Sequence, residues 1–384
     1  MINNTSFIEL NTKAYKSNIR FLKKVIGENV KISSVIKGNA YGHGYEQIIK
    51  LAESSGINHF SVFSAFEAQQ AIKFTSSKSD IMILGFIAEV DLHWVINNEI
   101  EFYIFSYEGL KKSIKLANHL DKKAKVHLEL ETGFNRTGLE TEEFDKTITL
   151  ILNNHKYVKV SGICTHFAGA ESIANYVRVQ NQLTNFNKFH KYFTEKGIHP
   201  QYIHTASSSA SLLYPDMRFN LVRIGIAQYG FWPTPEVLIT RSNLYGDKES
   251  SLKRVISWKS EIMSVKNISK GEFIGYGNSF QAPKNMQIAI IPVGYNNGYS
   301  RSLSNKGHVL VHGKRADVIG VVTMNTISVN ITDIENVTPG DEVILIGNYN
   351  KNKITVASFS EMSNNLNYQV LVRLPKNIPR LIVN

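Results

Sequence analysis

KISSVIKGNAYGHGYEQIIKLAE, residues 31–53, begins as a short β-rich run, turns through a loop holding Gly38, Gly42 and Gly44, and ends on apolar residues at helical spacing. The same order, strand then helix, returns along the chain. HFSVFS (59–64) precedes AFEAQQAIKF, IMILGF (81–86) precedes a helix near Asp91–Asn97, and EFYIFS (101–106) precedes YEGLKKSIKLANHL. AKVHLELE (124–131) precedes TEEFDKTITLILNN, VKVSGICTHF (158–167) precedes a helix through VRVQNQLTNFNKFHKYFTEKG, and QYIHTA (201–206) precedes SSSASLLY. LVRIGIAQYG (221–230) closes the series. Roughly eight such units over roughly 230 residues are what a parallel (β/α)8 barrel of the TIM type requires. A doubly wound open sheet is the alternative, but no G-x-G-x-x-G follows the first strand.

After GFWPTPE (230–236) the texture changes. VISWKSEIMSVKNI, MQIAIIPVG, HVLVHGKRADVIGVVTMNTISVNI and DEVILIG are strand-like, with turn signals such as Pro339-Gly340 between them. The expected fold class is therefore α/β: an N-terminal (β/α)8 barrel over residues 12–236, then a C-terminal all-β domain over residues 237–384. A chain of 384 residues exceeds what one core usually holds, in keeping with two domains.

Composition narrows the class. The chain is 43% hydrophobic and 20% charged, as ordinary globular proteins are. No apolar run reaches membrane-spanning length, and the N-terminal residues lack the basic-then-apolar order of a signal peptide, so no membrane association and a cytoplasmic location are expected. Cys164 is the single cysteine, which excludes an intramolecular disulfide and a cysteine-built metal site; no metal is expected. The net charge of +11 comes from scattered lysines such as Lys23, Lys24, Lys111 and Lys112, without a basic tail or an RNA-binding signature. That argues for a solvated surface and against nucleic acid, although the charge favours small anionic ligands.

In such a barrel the chemistry lies at the C-terminal ends of the strands. Lys37 ends the first. A lysine there is commonly a surface residue, but Val35, Ile36, Ala40 and Tyr41 flank it, and a lysine in apolar company becomes nucleophilic enough for a Schiff base. In HLELE (127–131), His127, Glu129 and Glu131 alternate with Leu128 and Leu130 and so share the inward face. Buried carboxylates need partners, and Arg136 in the following loop is near enough in sequence to pair with Glu129, whether as a structural ion pair or as part of a site. His166, His204 and Arg223 fall at the ends of later strands, where a lone histidine is more often a packed residue than a catalyst. Ser207–Ser209, Gly225 and Ile226 supply hydroxyls and N–H groups in the last two loops, a common place for phosphate. A Schiff-base lysine, a phosphate cradle and an arginine at one barrel mouth point to pyridoxal 5'-phosphate.

VIKGNAYGHG (35–44) is similar to the signature of alanine racemases, a lysine-anchored pyridoxal-phosphate family. The resemblance continues in order through ETGFNRTG, THFAGAE, HTASSSASLLYPD, LVRIGIAQYG, IGYGNSF, PVGYNNGYSR, GVVTMNTISV and VLVRLPKNIPR, nearly the whole chain. It implies that Lys37 carries the cofactor, that Tyr41, Ser208 and the N–H groups of Gly225 and Ile226 hold its phosphate, and that Arg223 donates to the pyridine nitrogen. It implies two bases, Lys37 and Tyr276, on opposite faces of the substrate α-carbon, with His166 and Arg223 beside the tyrosine. Arg136 and Met324 would meet the amino-acid substrate, and Tyr295 would line the mouth of the site. In the family the β domain, which includes an N-terminal strand here near Ser6–Leu10, serves the site of the other subunit, so the resemblance implies a head-to-tail homodimer.

Gly38 departs from the family's usual alanine but keeps the position small, and four further positions depart. Glu129 replaces a carbamylated lysine that holds the arginine matching Arg136, so Glu129 is expected to supply that carboxylate itself. Asn325 replaces an aspartate, Glu171 replaces another, and Ile382 stands where a tyrosine usually follows Pro-Arg. The Ile382 change predicts a pocket open to serine or larger side chains. The leading expectation is an alanine racemase supplying D-alanine for peptidoglycan; the alternatives are a serine or broad-specificity racemase and a barrel-type decarboxylase. Arg223 and the absence of cysteine beyond Cys164 oppose the decarboxylase, and Tyr276 in a β domain opposes a barrel that merely binds cofactor.

Overall fold

The computed structural model describes residues 4–363 and 367–384. The chain forms two compact units. One comprises residues 1–13, 41–47 and 255–384, and the other residues 14–40 and 48–254.

Strand β1 (Ser6–Asn11) opens the described chain and belongs to the first unit. The second unit then supplies β2 (Lys31–Val35), β3 (His59–Val62), β4 (Asp80–Ile83), β5 (Glu101–Ile104), β6 (Ala124–Glu129), β7 (Val158–Cys164), β8 (Tyr202–His204) and β9 (Leu221–Ile224). They form one parallel sheet in the order β8-β7-β6-β5-β4-β3-β2-β9. The Arg223 N–H donates to the Ala206 carbonyl just past β8 at 3.0 Å, and Ile203 N–H to Asn220 Oδ1 at 2.7 Å, so the two sheet ends meet and the barrel closes. The strands are buried on both faces because helices cover them outside. Helix Thr12–Ile26 shows how: Ala14, Tyr15, Asn18, Ile19, Leu22 and Ile26 are buried, one stripe at helical spacing. Two of the strand-to-helix turns end on serine caps, Ser64 accepting from Glu67 N–H and Ser106 from Gly109 N–H.

The barrel unit runs beyond the expected boundary at 236. Thr234 caps a helix at Pro235–Tyr245, where proline at the first turn is favourable, and Arg241 binds Asp247 at 2.6 Å and the Leu212 carbonyl at 3.2 Å. These contacts keep the segment with the barrel as far as Arg254.

The first unit adds β10 (Ile256–Glu261), β11 (Ser264–Ile268), β12 (Met286–Ile291), β13 (His308–Val311), β14 (Lys314–Ile319), β15 (Ile327–Asn330), β16 (Glu342–Tyr349), β17 (Asn352–Ile354) and β18 (Arg380–Val383). Their order is β11-β12-β15-β14-β13-β16-β10-β1-β18, with β17 on β16. The expected N-terminal strand is β1, antiparallel to β10 and parallel to β18. The unit is not wholly β, since helices Val356–Ser363 and Asn367–Val372 precede β18. No helix among the described residues is long and apolar enough to cross a membrane.

Arg380, buried at the start of β18, ties the loop 41–47 into this unit. Its guanidinium donates to the carbonyls of Gly42 (3.0 and 3.1 Å), Leu374 (3.3 Å), Pro375 (2.6 Å) and Ile378 (2.5 Å). Burial lowers its pKa to about 10, so it stays charged near neutrality. Gly42 is glycine by necessity: its φ is +78°, and a Cβ there would lie 2.0 Å from the Leu371 carbonyl oxygen. Arg380→Ala removes several charge-assisted bonds of ~1.5–3 kcal/mol each and is expected to cost at least about 3 kcal/mol. Urea unfolding of the variant against the unmodified protein checks this.

Candidate active site

β2 and β9 pair in register Ser34–Ile224, so the residues just beyond them stand side by side on the C-terminal rim. Beyond β2 is Lys37, and beyond β9 are Gly225 and Ile226. Glu129 at the end of β6 pairs with Cys164 at the end of β7, and His166 follows. Arg223 and Ser208 come from β9 and the turn after β8.

Lys37 begins an unusual turn. Gly38, Asn39, Ala40 and Tyr41 all have positive φ, from 52° to 63°, a single left-handed turn. Left-handed backbone costs about 1–2 kcal/mol at each non-glycine residue, so something else must hold it. Ala40 N–H donates to the Ile36 carbonyl at 2.7 Å. The Glu67 carboxylate accepts from Gly38 N–H at 2.7 Å and from Phe63 N–H at 2.7 Å, and so links the loops after β2 and β3. Gly38, where the family usually has alanine, occupies the left-handed region without a Cβ penalty. Partial burial lowers the Lys37 pKa, and the positive charges of Arg136 and Arg223 lower it further against the Glu67 carboxylate, which raises it.

Arg223 is a permanent cation with little solvent access, satisfied by protein oxygen and nitrogen. Nη1 donates to His204 Nδ1 (2.7 Å) and to the His204 carbonyl (3.0 Å). Nη2 donates to the carbonyls of Thr165 (2.9 Å) and Thr205 (3.0 Å) and to His166 Nδ1 (3.2 Å). Its Nε–H has no acceptor among the described residues. Gly225 N–H donates to Ser208 Oγ at 3.0 Å. That bond positions the serine and leaves its O–H as a donor, so Gly225 supports the cradle through Ser208. The buried Ile226 N–H likewise meets no acceptor among the described residues. A lysine amine, a serine O–H, a backbone N–H and an arginine N–H on one rim fit the aldehyde, phosphate and ring nitrogen of pyridoxal phosphate.

The expected Glu129–Arg136 pair does not form. Glu129 is buried, which raises its carboxyl pKa; a hydrogen bond from Thr137 and the charges of Arg223 and Arg136 lower it, and Glu131 raises it. Arg136 is exposed and lies over the Phe134 ring, 4.2 Å from its centroid. The physical cause is Glu131, whose carboxylate accepts from the N–H groups of Gly133 (2.5 Å), Phe134 (2.7 Å) and Asn135 (3.0 Å). This tight cap, followed by Asn135 at φ +60°, fixes the backbone before Arg136, whose charge still acts on Lys37, Glu129 and His166. Phe134 in turn packs its ring at 5.5 Å from that of His166.

The other expected residues lie in the first unit. Tyr41 is buried, with its ring 5.9 Å from that of Tyr368. Tyr276, between Gly275 and Gly277 at positive φ, is 74% exposed. Tyr295 N–H bonds the Thr323 carbonyl (3.0 Å) and Asn296 N–H the Met324 carbonyl (2.9 Å), which brings Tyr295, Met324 and Asn325 onto adjoining loops. Tyr295 and Met324 are exposed. Ile382 pairs with Leu10 and is 44% exposed. Sequence reasoning missed Glu67 as a clamp, although its place three residues after the cap Ser64 marks it as a first-turn acid. It also missed the Thr165 and Thr205 carbonyls, which no side-chain pattern reveals.

Comparisons with known proteins show the family. The family model for the alanine racemase N-terminal domain matches residues 10–233, and that for the C-terminal domain matches residues 255–382. The alanine racemase of Leptospira interrogans is 31% identical over 99% of this chain and 96% of its own. The solved structure of the Clostridium difficile alanine racemase is 29% identical with a TM-score of 0.90, covering 100% of this chain and 97% of that one. That of the Bartonella henselae enzyme, with covalently bound pyridoxal phosphate, is 26% identical with a TM-score of 0.83, covering 99% and 100%.

Two histidines of lowered pKa dictate a pH dependence. Burial and the charges of Arg223, Arg136 and Lys37 push His166 down to about 3, and burial and Arg223 hold His204 well below its ordinary range. Both are neutral in the folded state, whereas in the unfolded chain they take up protons near ~6.5. Between those values the unfolded state binds more protons, so stability falls as pH drops from about 6.5 toward 3. Urea titrations at pH 8, 6.5 and 5.5 are expected to show a plateau above 6.5 and a lower midpoint at 5.5.

Proposed function

Because the chain belongs to the alanine racemase family of isomerases, matched by both domain models, we propose that it interconverts L- and D-alanine with pyridoxal phosphate at Lys37. The observation that carries this reading is the β2–β9 rim, where an amine of lowered pKa stands beside a buried guanidinium and two N–H or O–H donors that meet no acceptor among the described residues. Pyridoxal phosphate, when bound, withdraws electrons from the α-carbon and makes its proton labile. Ser208 and the Ile226 N–H would hold the phosphate, together with Tyr41. Arg223 would present its remaining N–H to the ring nitrogen. A guanidinium does not surrender its proton, so that nitrogen is bonded without being protonated. The lysine amine would take the α-proton from one face and Tyr276 would return one to the other.

Tyr276, Tyr295 and Met324 support a further part of the reading. An exposed tyrosine held between two glycines has little to do in a single chain. A head-to-tail homodimer would give each of these side chains a role at a second copy's site, with Arg136 and Met324 meeting the amino acid. Such an enzyme would act in the cytoplasm and supply D-alanine for peptidoglycan. Lys37→Ala is expected to abolish racemisation and the near-visible absorption of the bound cofactor. Tyr276→Phe is expected to keep that absorption and lose about 10²–10⁴-fold in rate, the usual contribution of a general acid–base group. Wild-type rates in Tyr276→Phe, read by circular dichroism of alanine, would overturn the two-base assignment.

Substrate range is the second point. Ile382 in β18 replaces a tyrosine of the family pattern, removing a ring and a hydroxyl. We expect serine or larger amino acids to compete with alanine, with overlap and no clean switch, because steric fit distinguishes only ~1–3 kcal/mol per methylene-sized change. Ile382→Tyr should raise the alanine-to-serine ratio of kcat/KM. An unchanged ratio would show that this residue does not set specificity.

A further inference from the structure

A continuous line of hydrogen bonds crosses the barrel interior beneath the rim. Arg223 Nη1 meets His204 Nδ1 at 2.7 Å, and His204 Nε2 meets His127 Nδ1 at 2.8 Å. His127 Nε2 meets Glu101 Oε2 at 3.1 Å, and His59 Nε2 meets the same oxygen at 3.1 Å. His59 Nδ1 then meets Ser33 Oγ at 2.8 Å, which meets Ser61 Oγ at 2.5 Å. His59, His127 and His204 are fully buried and Glu101 nearly so.

The direction of every proton follows from the two ends. A guanidinium only donates, so His204 Nδ1 is an acceptor. Neutral His204 then carries its proton on Nε2 and donates it to His127 Nδ1. His127 therefore carries its proton on Nε2 and donates to Glu101, as does His59. Ser33 O–H donates to His59 Nδ1 and Ser61 O–H to Ser33 Oγ. A carboxylate accepts without donating, so no other tautomer of His127 leaves both of its nitrogens bonded. Reversing one histidine would turn an N–H of His204 toward the Arg223 N–H.

We infer that Glu101 is a positioning residue for the reaction: through His127 and His204 it fixes the nitrogen that receives Arg223, and so the setting of the guanidinium at the rim. The inference rests on the reading of Arg223 as the donor to the cofactor's ring nitrogen, and the tests are chosen to separate the two. Burial would raise the Glu101 carboxyl, but the two histidine N–H bonds outweigh it and keep it well below the carboxylate range, which agrees with an ionised terminus. Glutamine can accept both N–H bonds on its single carbonyl oxygen, whereas leucine can accept neither.

The first test needs neither a variant nor turnover. Nitrogen-15 NMR of the histidines in the purified protein should report His127 and His204 as neutral and protonated on Nε2 from pH 6 to 8. A Nδ1-protonated or cationic His204 would overturn the inference, whatever the enzyme's reaction. The second compares Glu101→Leu with Glu101→Gln in the cofactor-loaded enzyme. Glu101→Leu is expected to lose about 10–100-fold in racemisation rate. It should also release more oxo acid per racemisation, as the amino acid is oxidised to its oxo acid while the cofactor aldehyde is reduced to the amine. Glu101→Gln should restore both to within about threefold. A wild-type racemisation rate in a folded Glu101→Leu, or equal loss in the two variants, would overturn it. Unchanged partition together with the expected tautomers would instead place the fault in the reading of Arg223.

Discussion

Burying a charge that cannot be neutralised is the constraint around which the barrel rim is built. Arg223 would cost several kcal/mol if its guanidinium were left uncompensated away from water. The carbonyls of Thr165, His204 and Thr205 and the nitrogens of His166 and His204 compensate it. Those acceptors come from the ends of β7 and β8, so the cation can be buried only when both strands are in register beside β9. The histidines must also be neutral to accept, which makes their lowered pKa values part of the same arrangement. Closing the sheet and building the site are therefore one event.

The turn after Lys37 is a second case of strain held by its neighbours. Asn39, Ala40 and Tyr41 adopt backbone that L-residues avoid, and the Glu67 carboxylate supports the first N–H of the turn. The same carboxylate supports Phe63 N–H, so the loop that carries Lys37 is fixed to the loop after β3. Lysine has four rotatable carbons, and fixing its backbone is the most the fold can do to limit where the amine reaches.

Much of this was legible. The eight β-then-helix runs and the placement of Lys37, His166, Ser208 and Arg223 at strand ends follow from periodicity and ordered motifs that depend on near neighbours, and the family resemblance implies the N-terminal strand in the β unit. What failed depended on direction or on distant backbone. Spacing put Glu129 and Arg136 within reach, but Glu131 captures the intervening N–H groups and Arg136 lies over the Phe134 ring instead. The boundary at GFWPTPE was read as an end, whereas Pro235 starts a helix. The attachment of residues 41–47 to the β unit rests on Arg380 and the Gly42 carbonyl, a contact across most of the chain that leaves no local trace. Glu101 and His59 sit in β-rich runs whose inward faces look ordinary until the network between them is seen.

One feature of the β sheet bears on how the molecule is made. β1 is made before every other described strand, yet its partners are β10 and β18, and Ser6 bonds the Trp258 indole. Throughout synthesis of the barrel residues, β1 has no partner strand and two open edges. Long-range pairing of this kind is slow, and an unpaired apolar strand is a site of misassembly. Ile8 and Leu10 are fully buried once the sheet is complete, so any nascent or truncated chain ending before β10 displays them. The alternating Glu9 and Asn11 keep one face of that waiting strand polar, and the barrel has time to fold while the other unit remains incomplete.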